Sequence, residues 1–255
     1  MFDASLGLLP AQYVCMSEFL LAFDTSTAVT AVGLYSRKGD PLWINMEASD
    51  KRHGDELLPR IQRGLEAISA KPADVQGLVV GIGPGSFTGL RIGISTAQGW
   101  NLAQRTPVIG LPSHVGVAAP LLGLGSSVVA VIGDAFKGEV ALSLWTRDAM
   151  GQPCEDLSPR SYSPEAAARV LCEQRVHGNL TLAGDGLRRY ERALTQALSQ
   201  SFELAHPQFD TPSPTALVEQ ALSQQRRGEP WDPATLAPLY VRDADAALPA
   251  QPLKL

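Results

Sequence analysis

Twice in this chain, roughly a hundred residues apart, an apolar strand ends in an aspartate, turns tightly and alternates back. Residues 19–23 run into Asp24, Thr25, Ser26 and Thr27 make a turn, and residues 28–35 return as an alternating, β-branched run. In the second copy residues 128–132 run to Asp134, a turn containing Gly138 follows, and residues 139–145 alternate back. That spacing is too long for a solenoid repeat and reads as duplication of a whole folding unit. With 255 residues the chain can bury either one large core or two smaller ones.

Between the copies lies GPGSFTGLRIG, residues 83–93. It follows a buried-strand pattern at residues 78–82 and leads into helical spacing over residues 90–104. Glycines Gly83, Gly85 and Gly89, interleaved with Pro84, Ser86 and Thr88, place backbone N–H groups at the positive end of a helix dipole, which suits a phosphate. The same glycines also suit a tight turn needing φ > 0 and close packing, and local sequence leaves both readings open. A P-loop is excluded, because Leu90 and Arg91 follow Gly89 where Lys and Ser/Thr are required. A dinucleotide turn is excluded too: the glycines are one residue too widely spaced, and the next apolar run, residues 108–111, ends in Pro112 and Ser113 without an acid.

Taken whole, that loop joins five other motifs in a fixed order. They are LLAFDTSTAVTAVGLY (residues 20–35), HGDELLPRI (53–61), GDAFKGEVALSLW (133–145), LAGDGL (182–187) and PLYVR (238–242). Together they resemble the bacterial TsaB (YeaZ) family over nearly the whole chain. The resemblance implies a duplicated α/β fold of the actin-like, Hsp70-like kind, with two βββαβα halves whose acidic hairpins face a central cleft. The expected division is an extension at residues 1–16, a first domain at 17–110 carrying the glycine loop and partner-binding helices, and a second at 111–255.

The resemblance further implies a non-catalytic subunit of the machinery that makes threonylcarbamoyladenosine in tRNA. It would pair with the paralogue TsaD and the ATPase TsaE, meet tRNA only through the complex, and leave a homodimer of the free chain open. Composition agrees with a secondary role toward tRNA. The formal charge is −5, and basic pairs such as Arg188-Arg189 and Arg226-Arg227 are isolated, so no global basic field draws in a polyanion. Three dispersed cysteines, Cys15, Cys154 and Cys172, fit a reducing cytoplasm and suggest neither disulfides nor zinc. No apolar run reaches the ~20 residues of a membrane span. Residues 1–15 lack the basic start of a signal peptide, and Met16 reads as an alternative initiator.

Chemistry-bearing residues are few. TsaD-like metal binding would need two histidines four apart on a helix, and the position four after His53 is Leu57. His114, His177 and His206 sit in unrelated segments, so no metal is expected. Neither a protease triad nor a nucleophile elbow is present, which disfavours a protease. The expected nucleotide- or phosphate-facing set is Asp24, Thr25, Ser26, Gly83, Gly85, Ser86 and Asp134, with ATP or ADP binding weak or absent and no required cofactor. Lys137 and Glu139 flank the second hairpin, where a salt bridge is the expected use. The alternative function is an actin-like phosphotransferase or ATPase using Asp24, Asp134 and the glycine loop in its own right. The expected partner surface is two helical stripes: Leu57, Ile61 and Leu65 on the first helix, and Gly89, Gly93, Ala97 and Trp100 on the second, where small residues every four positions permit close helix approach.

Overall fold

The computed structural model describes residues 18–48, 53–174, 178–199 and 201–242, and of His53 the backbone alone. The extension at residues 1–16, the His53 side chain, His177 and the tail beyond Arg242 lie outside the described residues.

The first half runs β1 (Phe19–Asp24), β2 (Val29–Ser36), β3 (Pro41–Ala48), α1 (His53–Ala67), β4 (Val75–Gly81), α2 (Phe87–Gln104), β5 (Val108–Leu111) and α3 (Ser113–Gly123). The second runs β6 (Val128–Phe136), β7 (Glu139–Arg147), β8 (Pro153–Tyr162), α4 (Pro164–Glu173), β9 (Leu180–Ala183), α5 (Asp185–Ala197), β10 (Glu203–Leu204) and α6 (Pro214–Arg226). Each half is therefore βββαβαβα, one strand and one helix longer than the expected unit. The sheet orders match as well: β3-β2-β1-β4-β5 and β8-β7-β6-β9-β10. In both, an antiparallel hairpin (Ala22 opposite Gly33; Ile132 opposite Leu142) continues into parallel pairing (Leu21 beside Leu78; Ala130 beside Leu182). This internal identity of topology is the duplicated, actin-like α/β architecture.

Three layers of packing follow. On the outer face of the first sheet, Leu21, Phe23, Leu34 and Val80 meet Leu57, Ile61 and Leu65 of α1 and Ile94 and Ala97 of α2. On the outer face of the second, Ile132 and Leu142 meet Leu171 of α4 and Leu187 and Leu194 of α5. The central layer is crossed. α3 packs on β6, β7, β8 and β9, whereas α6 packs on β1, β2 and β4. One core thus joins Leu20 and Tyr35 of the first sheet to Val129 and Trp145 of the second through Val115, Leu122, Leu217 and Val218. The hydroxyl of buried Tyr35 lies 3.0 Å from Thr215 Oγ1 on α6, and burial pushes its pKa up to about 12.

After α6 the chain returns to the first sheet. The Gly110 N–H donates to Thr235 Oγ1 at 2.8 Å, Leu236 is buried among the α1–α2 core, and the Leu239 N–H donates to the Ile82 carbonyl at 2.8 Å. Among the described residues no helix is long and apolar enough to cross a membrane.

α3, β8 and α4 have no counterpart in the sequence reading. α3 is buried on nearly every side between the sheets, so it shows no amphipathic stripe. β8 is an edge strand carrying Pro153 and Pro159, which masks its alternation. α4 did carry a legible start, Ser163-Pro164-Glu165, in which Ser163 Oγ accepts from the Ala166 N–H.

Candidate functional site

The two hairpin turns face each other across a cleft whose floor is the start of α3. On the first side, Asp24 is buried and its Oδ1 accepts from the N–H of Ser26 at 2.8 Å and from its hydroxyl at 2.6 Å. This is the self-contained turn that a short acidic side chain builds at a strand end. The Thr25 hydroxyl donates to the Gly89 carbonyl at 2.7 Å, and the Ser86 N–H donates to the Ser26 carbonyl at 2.7 Å, so the glycine loop is stitched onto the hairpin. Ser86 caps α2 by accepting from the Gly89 N–H at 3.2 Å. Gly83 exchanges two bonds with Ser113, its N–H reaching Ser113 Oγ at 2.9 Å and its carbonyl accepting the Ser113 N–H at 2.7 Å. The amides of Gly83, Ser86 and Gly89 are therefore all engaged within the chain.

On the second side, Asp134 Oδ1 accepts from the Phe136 N–H at 2.9 Å, and Oδ2 pairs with Arg189 at 2.8 Å. Its backbone N–H donates to Asp185 Oδ1 at 3.0 Å, which also accepts from the Gly186 N–H at 2.9 Å. Burial pushes the Asp185 carboxyl above its usual range; the Asp134 and Asp210 charges add to this, and the two N–H donors oppose it. Asp210 accepts from the Gly184 N–H at 3.0 Å and from Arg188 Nε at 2.6 Å. Glu139 makes the expected salt bridge, with Arg242 at 3.3 Å.

His114 forms part of the floor. Its Nδ1 lies 2.7 Å from Ser143 Oγ, which itself accepts from Trp145 Nε1 at 2.9 Å. Burial holds the ring's pKa down at about 3, so it is neutral. Ser143 Oγ, which has a second lone pair, pairs with Nδ1 in either tautomer, and the other ring nitrogen is Nε2. That nitrogen lies beside Gly133, where an added Cβ would approach it to 2.9 Å.

Of the sequence-derived set, Ser26, Gly85 and Asp134 line the cleft; Asp24 and Thr25 lie behind the first turn, Gly83 braces the floor, and Ser86 caps α2. His114, Asp185 and Asp210 also line it and were not singled out. The cleft is narrow, with a volume of about 10 Å³ for a water-sized sphere, room for about one water molecule.

A sequence profile of the TsaD family (tRNA N6-adenosine threonylcarbamoyltransferase) matches residues 44–150. YeaZ from Pseudomonas aeruginosa superimposes with a TM-score of 0.68 at 26% identity, over 88% of this chain and 99% of that one. The tRNA threonylcarbamoyladenosine biosynthesis protein TsaB of Escherichia coli K12 is 34% identical over 66% of this chain and 71% of its own. The Haemophilus influenzae Rd protein of the same name is 30% identical over 88% of this chain and 93% of its own. The chain belongs to the TsaB family.

The residues of the two expected partner stripes pack within the chain itself. Leu57, Ile61 and Leu65 are buried on their own sheet, as is Ala97. Gly89 and Gly93 are small for an internal reason: a Cβ on Gly89 would overlap the Thr25 carbonyl, and one on Gly93 would come within 2.6 Å of Thr25 Oγ1. Trp100 is half-buried against the same core. The close approach that these small residues permit within the chain is to the β1–β2 turn. Among the residues that α1 and α2 turn outward are Leu58, 55% exposed, Leu102, 85% exposed, and Gly99, where an added Cβ meets nothing within 4 Å.

Proposed function

We propose that this chain is a non-catalytic subunit in the biosynthesis of threonylcarbamoyladenosine in tRNA, pairing with TsaD, which carries out the transfer, and working with the ATPase TsaE. The observation that carries the reading is the state of the cleft's carboxylates. Asp134 has both oxygens engaged by Phe136 and Arg189, Asp185 holds two backbone amides, and Asp210 is paired with Arg188. Among the described residues no three of His, Cys, Asp and Glu gather into a metal-holding group. Leu57, which stands where a second histidine would complete a chelate, points into the core. A site built this way uses these carboxylates to hold its own turns together.

The outer face of α1 and α2 is where TsaD would dock, centred on Leu58 and Gly99. A homodimer through the same face would compete with it. The test is reconstitution: wild type, Leu58→Asp and Gly99→Arg are each mixed with TsaD, TsaE and tRNA, reading co-elution and modified adenosine. Wild type should co-elute and stimulate, and both variants should fold yet lose pairing. ATP turnover or transfer by the chain alone would sink the reading.

A further inference from the structure

The segment at residues 239–242 touches both halves of the molecule beside the cleft. Its first-half end is well fixed. The Leu239 N–H bonds the Ile82 carbonyl at 2.8 Å, two residues before the cleft-lining Pro84. The Tyr240 ring stacks on Phe87 with centroids 5.2 Å apart. Arg91 locks that stack, lying 3.9 Å over the Phe87 ring while its Nε donates to the Tyr240 hydroxyl at 3.1 Å. The second-half end reaches the β6–β7 hairpin through Arg242, with Nε 3.3 Å from Glu139 Oε2 and a terminal nitrogen 3.4 Å from the Ala135 carbonyl, next to cleft-lining Asp134.

We propose that residues 239–242 form a latch across the cleft: anchored on the first half through Leu239 and Tyr240, it grips the second-half hairpin through Arg242, and release of Arg242 lets the cleft open. The asymmetry of the two ends decides where it gives way. The first end combines a buried neighbour in Leu236, a backbone bond and an aromatic stack. The second includes the Arg242–Glu139 pair, between side chains 27% and 41% exposed, a setting in which ion pairs are weak and salt-screened. The cleft volume fits the closed state, since it has room for about one water molecule. Opening by rotation of one half against the other is the hinge-type motion such two-halved molecules support.

Hydrogen–deuterium exchange of the full chain tests this, with wild type, Arg242→Ala, Glu139→Gln and, as a control away from the latch, Arg226→Ala. Glu139→Gln keeps the acceptor that Ser161 Oγ uses at 2.6 Å, so the hairpin itself stays intact. An exposed pair of this kind predicts a roughly 2- to 5-fold rise in exchange for peptides spanning Ser26, Gly85 and Asp134 in both latch variants, with an unchanged melting temperature. High salt should produce the same rise in wild type and add nothing to Arg242→Ala. Unchanged cleft exchange in Arg242→Ala overturns the proposal. So does a rise shared equally by the core strands β6 and β9, which would mean general loosening rather than a latch.

Discussion

The Thr25 hydroxyl donates a 2.7 Å hydrogen bond to the Gly89 carbonyl, and Gly93, one turn further along α2, passes directly beneath the same side chain. The first hairpin turn is thus seated on a groove of glycines in α2, which places the glycine loop at the cleft wall.

Gly93→Leu should therefore destabilise the folded chain itself. Overpacking of this kind costs ~1–3 kcal/mol, and for a protein of this size each kcal/mol lowers the melting temperature by about 2–4 °C. Gly99→Ala, on the open side of the same helix, should hold or raise the melting temperature, since Ala is the better helix former by ~1 kcal/mol. Equal melting temperatures for wild type and Gly93→Leu would show that the groove can yield.

The same pair of residues marks where the sequence was and was not legible. The duplication could be read because Asp24 and Asp134 each end an apolar run that reverses with period two, a purely local signal. The stripe Gly89-Gly93-Ala97 was legible as a site of close approach, but spacing alone does not say what approaches, and a turn of the same chain fits as well as a partner. His114 read as isolated because α3 crosses onto the second sheet, a long-range consequence of the duplicated fold that no local pattern carries. Asp185 stood in the LAGDGL motif with no role of its own, since its bond to the Asp134 amide spans 51 positions.

His114 should make the chain sensitive to acid. Its folded pKa, about 3, lies below the ordinary 6.5, so the unfolded chain takes up the proton first as pH falls. The stability linked to the neutral ring is complete above pH 6.5 and is lost on descent toward about 3. His114→Gln removes this limb, so its denaturation free energy should fall less steeply across that window than that of wild type. Parallel pH profiles would contradict burial as the cause.

Asp185 should behave oppositely. A carboxyl whose folded pKa is raised contributes fully below the unfolded value of 3.8 and loses that contribution as pH rises through its folded value. Asn retains an oxygen to accept from the Asp134 and Gly186 amides without the buried charge. Asp185→Asn should melt above wild type at pH 7, with the gap closing near pH 3 to 4. A lower melting temperature at pH 7 would mean that the charge itself is required.

Nucleotide binding is the remaining test of the cleft. The Asp134 oxygens are already held by the Phe136 amide and by Arg189, so a magnesium ion brought in with ATP would have to displace a partner the chain supplies itself. Calorimetry with ATP should give a Kd weaker than ~10 μM, equivalent to about −7 kcal/mol, with little change when magnesium is added. Arg189→Ala releases one Asp134 oxygen and should introduce a magnesium dependence that wild type lacks. Tight, magnesium-dependent binding by wild type that disappears in Asp134→Ala would instead favour a phosphotransferase or ATPase acting on its own, because the carboxylate would then be holding a metal rather than its own hairpin.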